Sequence, residues 1–454
     1  MLGTINKMRS RLAPSAMRAM RQASPAFSRG MAGGLTPEEE RAHLSDKQRA
    51  LMKMEDDYGT HNYHPLPVVL AKGVGNKVWD VDGKEYFDYL SAYSAVNQGH
   101  CHPKIIKAMA DQANTLTLSS RAFHNNVLGP YCEFVTKYFG YDRVLPMNTG
   151  VEGGESAIKL ARRWGVKVKG IKNDEVRVLF AAENFWGRTL GAISSSTDPD
   201  SYANYGPLMP GFDIIPYNDL AALEKTLASN PNYCAYMCEP IQGEAGVVVP
   251  DAGYMKKAKE ICKKYNCLLI ADEVQTGCAR TGKLLAVEHD DVKPDLVVLG
   301  KALSGGTFPV SAVLGSHEVI LGIRPGEHGS TFGGNPLACN IAMASLEVIR
   351  DEKLAENAEA MGQLTRKNLT AMNSPLVSVV RGKGLLNAIV IKPFKNNAGR
   401  EMTAWDVCLA FAKNGLLAKP THDDIIRLAP PLVSTEQDIN TACGIIEKTL
   451  KELQ

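Results

Sequence analysis

The sequence predicts an α/β protein: a large domain with a mostly parallel sheet flanked by helices, and a smaller α+β domain at the C-terminal end. Three observations carry this. Short apolar runs recur at roughly thirty-residue spacing with a helical pattern between them, the signature of βαβ units. Two of the runs are nearly continuous in apolar residues, as expected of strands covered on both faces. From about residue 345 the alternation gives way to mixed helical and strand patterns.

Residues 1–37 contain Lys7, Arg9, Arg11, Arg18, Arg21 and Arg29 and no acid. Rich in Arg, Ser, Ala and Met and without a long apolar stretch, this segment has the composition of a mitochondrial transit peptide, not of a secretory signal. The mitochondrial matrix is the location it implies; a disordered basic tail on a cytoplasmic protein is the alternative. Residues 38–95 read as an N-terminal segment packing with the small domain, 96–345 as the large domain and 346–454 as the small one. Within the large domain the strands are expected at 176–181, 234–238, 267–271 and 296–299. Between the second and third, Tyr254, Ala258, Ile261, Cys262 and Tyr265 recur at helical spacing with lysines elsewhere on the surface, and Asp251 with Gly253 suits a helix start. Further on, one long helical pattern runs from 340 to about 372. Strands follow at 376–380 and 385–391, a helix near 403–414, a strand at 425–428 and a last helix from about 434. Residues 394–402 have turn composition and read as an exposed loop.

The 454 residues suffice for two or three domains, and 44% hydrophobic with 22% charged residues is ordinary for a globular protein. The net charge of +2 hides an asymmetry: without residues 1–37 the chain is mildly acidic, which argues against a nucleic-acid partner. No apolar run is long enough to span a membrane. The ten cysteines include no Cys-x-x-Cys pair, so reduced thiols are expected; Cys234 and Cys238 are expected on one side of their strand. His100-Cys101-His102 lacks a second ligand cluster, so no metal is expected.

In open parallel sheets ligands sit outside the carboxyl ends of the strands. Asp272-Glu273-Val274-Gln275-Thr276-Gly277 follows one expected strand, and Gly300-Lys301-Ala302-Leu303-Ser304-Gly305-Gly306 follows the next. A partly desolvated lysine loses its proton readily and can condense with an aldehyde. A buried carboxylate can hold a proton on the ring nitrogen of a pyridoxal cofactor and keep the ring electron-withdrawing. Taken singly, Lys301 suits a solvated strand end and Asp272 a helix cap; their pairing on neighbouring strand ends favours one shared site. Asn148-Thr149-Gly150-Val151 precedes a helical run, where backbone N–H groups attract phosphate.

The 269–277 stretch with 301–306 downstream resembles the signature of the class III pyridoxal-phosphate (PLP)-dependent aminotransferases of fold type I, and the resemblance extends over nearly all of 58–454. It implies an enzyme, a homodimer with shared active sites, and roles for particular residues. Lys301 would bind the cofactor covalently and shuttle the proton. Asp272 would pair with the ring nitrogen, Phe185 would stack on one ring face and Val274 would cover the other. Gln275 would bond the phenolic oxygen, Gly150 and Val151 would hold the phosphate, and Ser330 and Thr331 from the second subunit would complete its cup.

Stretches at 61–65, 93–97, 184–188, 239–244, 329–335 and 426–430 are similar to the members of that family that move the δ-amino group of ornithine to 2-oxoglutarate, forming glutamate. By that resemblance Arg188 binds the distal carboxylate in both half-reactions and Arg427 the α-carboxylate of glutamate; the planar fork of arginine suits both tasks. Glu244 would pair with Arg427 while ornithine is bound and move aside for glutamate, Tyr63 would bond the α-amine of ornithine, and Tyr93 would shape the pocket. The rival substrates within the family are N-acetylornithine and 4-aminobutyrate. Outside it stand a nicotinamide dehydrogenase, which the lack of Gly-x-Gly-x-x-Gly after a first strand opposes, and a silent binding module on the same fold.

Overall fold

The computed structural model describes residues 36–396 and 399–454. The transit reading of 1–37 therefore lies outside the described residues apart from Thr36 and Pro37. These two begin the helix Pro37–Arg41, where the Glu39 N–H donates to the Thr36 hydroxyl.

After a second helix, Asp46–Tyr58, an antiparallel ribbon follows, with strands β1 (Leu70–Val74), β2 (Lys77–Asp80) and β3 (Glu85–Asp88). The seven strands of the central sheet follow: β4 (Arg143–Met147), β5 (Arg177–Ala181), β6 (Phe212–Ile215), β7 (Tyr233–Cys238), β8 (Leu268–Asp272), β9 (Leu296–Leu299) and β10 (Ser311–Gly315). Their spatial order is β4-β10-β9-β8-β7-β5-β6. All neighbours are parallel except β10, which runs antiparallel to both β9 and β4. The four expected strands are thus present as β5, β7, β8 and β9, and three more join them. Of these, β4 carries Pro146 and β6 carries Asp213, and both lie at sheet edges, where a proline or a charge is tolerated.

Side chains alternate across the sheet. On β8, Leu269 and Ala271 enter the larger core with the C-terminal helices, while Leu268 and Ile270 enter a second core with Ala157, Leu160 and Trp164 of the helix Gly150–Lys167. The expectation for Cys234 and Cys238 fails here. The register with β5 slips between Arg177↔Tyr233 and Val178↔Ala235, so a bulge turns Cys234 into the second core while Cys238 faces the first.

The helix expected at 251–266 is Tyr254–Lys264, and its N–H groups are capped from a distance: Asp290 accepts from Gly253 N (2.9 Å) and Met255 N (3.0 Å). The single long pattern from 340 to 372 is in fact two helices, Pro336–Asp351 and Leu354–Ala371, parted at Lys353 with a left-handed φ of 52°. Both present an apolar face to the core, which is why one periodicity runs through the two.

The remaining strands are β11 (Val377–Lys383), β12 (Leu386–Ile391), β13 (Phe394–Lys395), β14 (Glu401–Met402), β15 (Leu416–Leu417), β16 (Lys419–Thr421) and β17 (Ile425–Leu428). They form an antiparallel sheet β11-β12-β17-β16 and a two-stranded ribbon β13-β14. The segment read as a loop at 394–402 is therefore a short hairpin, anchored where Arg400 meets Asp406 at 2.7 Å. β15 leaves this region to pair in parallel with β3, which ties the start of the described chain to its end.

Candidate active site

Because β7, β8 and β9 are parallel neighbours in register, Cys238 beside Ala271 and Asp272 beside Val298, whatever ends each strand meets at one edge. Three ionisable side chains end there: Glu239, Asp272 and Lys301. Lys301 opens a 3-10 turn, Lys301–Ser304, with a left-handed φ of 42°. That conformation costs a non-glycine residue energy and is held by its surroundings: Ser304 Oγ donates to the Lys301 carbonyl (2.7 Å) and Gln98 Nε2 to that of Ala302 (2.9 Å). Lys301 is half-buried as a residue, with its amine surrounded by protein. Burial pulls its pKa below the ordinary lysine value, against the charges of Glu244 and Asp272. Asp272, 5% exposed, is pushed up to about 6 by burial, while the Val274 N–H (3.0 Å) and the Lys301 charge favour its anion.

The start of the helix Gly150–Lys167 faces the same edge. Thr149 caps it, and the N–H groups of Gly150 and Val151 have no acceptor within the helix. A Cβ on Gly150 would lie 2.8 Å from Val274 Cγ1, and one on Gly300 would lie 3.3 Å from Gly150 Cα. The cradle thus exists only because these positions are glycine. Gln275, 7% exposed, lays its amide against Gly243, so that a Cβ there would require the amide to shift. Ser330 Oγ accepts from Asn148 Nδ2 (2.8 Å) and Gly333 N (3.0 Å), while Thr331 is exposed. Free helix-start N–H groups, a glycine cradle, a desolvated lysine and a buried acid fit a phosphate-bearing aldehyde cofactor.

Beside this cradle lie the residues expected to sort substrates. Arg427, 4% exposed, reaches Glu244 Oε1 with Nη1 at 3.1 Å, and its guanidinium lies 4.7 Å from the centre of the Tyr93 ring. Its buried Nε has no hydrogen-bond partner among the described residues. A buried guanidinium with an unused donor is suited to receive a carboxylate. Tyr93 sits in a run of four left-handed residues, Ser91 to Ser94, pinned by Asp88 to the N–H groups of Leu90 (2.9 Å) and Ser91 (2.8 Å) and by Ser91 Oγ to the Ala429 carbonyl (2.7 Å). Arg188 lies 5.5 Å from the Phe185 ring centre and donates to Ser201 Oγ at 3.1 Å. Tyr63 is 77% exposed, at the outer side of the site, close enough to Tyr93 to affect its titration.

His100 and His102 turn to different carboxylates, Asp88 at 2.7 Å and Glu352 at 2.8 Å. No group of three metal-ligating side chains occurs among the described residues.

Two residues of the site region carry no expectation from the sequence. Glu239 directly follows β7 as Asp272 ends β8, so reading every strand end would have found it. Arg280, fully buried, bonds Asn97 Oδ1 (2.6 Å) and the carbonyls of Leu385 (3.0 Å) and Pro430 (2.6 Å). It joins the loop after β8 to the segments bearing Tyr93 and Arg427, and nothing in the local sequence signals that.

The class-III aminotransferase family model matches residues 58–450. Ornithine aminotransferase, mitochondrial, of Drosophila melanogaster is 60% identical over 413 residues, covering 91% of this chain and 94% of that protein. The protein of the same name from Rattus norvegicus is 61% identical over 400 residues, 88% of this chain and 90% of its own. Among solved structures, the ornithine aminotransferase of Toxoplasma gondii, described with partial occupancy of PLP at its active site, has a TM-score of 0.86 at 47% identity, covering 89% of this chain and 94% of that one. An acetylornithine aminotransferase from Elizabethkingia anophelis has a TM-score of 0.81 at 52% identity, covering 89% of this chain and 99% of its own. With the family model spanning most of the chain and relatives of this identity matching nearly end to end, the protein belongs to the class-III aminotransferases, fold type I enzymes that depend on pyridoxal phosphate.

Proposed function

We propose that the protein transfers the δ-amino group of L-ornithine to 2-oxoglutarate, giving glutamate and glutamate 5-semialdehyde, which equilibrates with pyrroline-5-carboxylate. The observation that carries this reading is the Arg427–Glu244 pair at 3.1 Å beside Tyr93. With Glu244 in place, Arg427 is neutralised and the pocket accepts a neutral methylene chain next to the reacting amine. With Glu244 turned away, Arg427 is free for the α-carboxylate of glutamate. A switchable charge serves two substrates in one site and penalises the wrong arrangement. The names of the relatives favour the same amine donor.

Bound pyridoxal phosphate supplies an aldehyde for the amine and a ring that withdraws electrons. Lys301 would hold it and would carry the proton at the reacting carbon as base and then as acid. Asp272 would keep the ring nitrogen protonated, Gln275 would bond the phenolic oxygen, and Phe185 and Val274 would hold the two ring faces. Gly150 and Val151 N–H groups bind the phosphate, joined by Ser330 and Thr331 of a second copy in a homodimer. The exposure of Thr331 and of Phe332 (50%) suits an interface there. Arg188 holds the distal carboxylate, and Tyr63 bonds the α-amine of ornithine.

We place the enzyme in the mitochondrial matrix, on the acid-free, arginine-rich residues 1–37 and on the mitochondrial designation of relatives. No helix among the described residues is long and apolar enough to cross a membrane. The deciding experiment compares initial rates on ornithine, N-acetylornithine and 4-aminobutyrate with 2-oxoglutarate as acceptor. Ornithine is expected to be used best; preference for either rival overturns the substrate assignment.

A further inference from the structure

Glu239 is 6% exposed and touches both substrate-sorting arms of the site through its two oxygens. Oε1 accepts the N–H of Phe185 at 3.0 Å, and Oε2 accepts that of Gly243 at 3.2 Å. Phe185 lies three residues before Arg188, and Gly243 immediately precedes Glu244. The backbone around Glu244 is fixed from other sides as well. Gln242 and Val248 exchange backbone bonds (3.1 and 2.9 Å), Gln242 Nε2 donates to the Ala182 carbonyl (2.7 Å), and Thr421 Oγ1 donates to the Glu244 carbonyl (2.6 Å). The base of the clamp is fixed too, since the Tyr217 hydroxyl meets the carbonyls of Glu239 (3.1 Å) and Pro240 (2.9 Å).

We propose that Glu239 is a positioning residue that clamps the Arg188 arm to the Glu244 arm, so that only the side chain of Glu244, and not its backbone, moves between the two half-reactions. The inference rests on the ornithine reading of the same site and deepens it. A switch of this kind needs a rigid hinge: if the backbone of Glu244 drifted, the carboxylate would neutralise Arg427 poorly and the ornithine half-reaction would suffer first. Burial and the neighbouring Asp272 push the Glu239 carboxyl up to about 8, while the N–H groups of Phe185 and Gly243 favour the anion that accepts both bonds.

The test uses holoenzyme and measures kcat/KM of the two half-reactions separately, with ornithine and with glutamate, in wild type, Glu239→Ala, Glu239→Gln, Glu244→Ala and Glu239→Ala/Glu244→Ala. Both half-reactions are read on one preparation, so loss of folded or cofactor-loaded protein cancels in their ratio. Glu239→Ala is expected to shift the ratio against ornithine by roughly tenfold, the size expected when a buried N–H is left unpaired. Glu239→Gln, which keeps one acceptor oxygen, should fall between Glu239→Ala and wild type. In the Glu244→Ala background, Glu239→Ala should leave the ratio where Glu244→Ala alone put it. An unchanged ratio in Glu239→Ala, or the same shift persisting without Glu244, would overturn the clamp. A wild-type enzyme that ignores ornithine while using glutamate overturns the δ-amine reading itself, and this role with it.

Discussion

Val274 closes directly onto Gly150: a Cβ built on that glycine would lie 2.8 Å from Val274 Cγ1. A Val274 methyl in the turn after β8 therefore sits against the backbone at the start of the helix Gly150–Lys167, and in the proposed function the N–H groups that bind the phosphate depend on this fit. Gly150→Ala is expected to weaken pyridoxal-phosphate binding by roughly tenfold or more, from the overpacking it introduces. Titration of cofactor-free protein, followed by visible absorbance, measures this; wild-type affinity would remove the cradle from the account.

Lys301 is the one amine that the fold desolvates at the strand edge beside Asp272. Lys301→Ala should still fold and retain some cofactor through the phosphate cradle, while turnover drops by roughly a hundredfold or more with loss of the proton carrier. Steady-state rates together with the cofactor content of the purified variant test it.

Glu244→Ala leaves Arg427 buried and without its carboxylate partner. The ornithine half-reaction should lose about tenfold in kcat/KM, a value discounted for the partial exposure of Glu244, while the glutamate half-reaction is retained. Stopped-flow spectra of each half-reaction give both numbers, and equal losses in the two would contradict the switch.

Arg280 is a fully buried cation whose bonds to Asn97, Leu385 and Pro430 all go to neutral oxygens, and burial lowers its pKa to about 9 against the pull of Asp88. Arg280→Ala would orphan Asn97 Oδ1 and the carbonyls of Leu385 and Pro430 together. A loss of roughly 3 kcal/mol in stability is expected, measured by denaturant unfolding of the holoenzyme. A change under about 0.5 kcal/mol, the range of ordinary surface substitutions, would show that these bonds hold nothing in place.

Asp272, Glu273 and Glu239 are raised by burial to about 6, 7 and 8. Unfolded, such carboxyls titrate near 4, so the folded protein binds more protons through this window and their contribution to stability is lost as pH rises. For Asp272 the loss falls between about pH 4 and pH 6. The lowered amine of Lys301 acts in the opposite sense at higher pH. In cofactor-free protein, the thermal midpoint of wild type relative to Asp272→Asn should therefore decline from pH 4 to pH 7. A relative midpoint that rose over that range would contradict the raised Asp272.

Much of the fold was legible because burial on both faces writes itself into sequence. The runs that became β7, β8 and β9 are apolar throughout, and strand ends in a parallel sheet point to a ligand edge. The edge strands β4 and β6 escaped because a proline and an aspartate interrupt them. The break at Lys353 escaped because hydrophobic period tracks the buried face and not backbone continuity. The bulge in β7 escaped because register belongs to the pairing with β5, not to β7 alone.

The sequence by itself determined the parallel core, the lysine and acid that end neighbouring strands, and, through its resemblance to a family, the residues to look for around them. Only the tertiary structure decided how those residues stand to one another. It brought Arg427, near the end of the chain, to 3.1 Å from Glu244, left its Nε unpaired over Tyr93, and set the carboxyl of Glu239 between two arms of the site. The physical reason is that local pattern records how much of a side chain is buried, whereas charge neutralisation and pKa depend on distances between segments that meet only when the chain is folded.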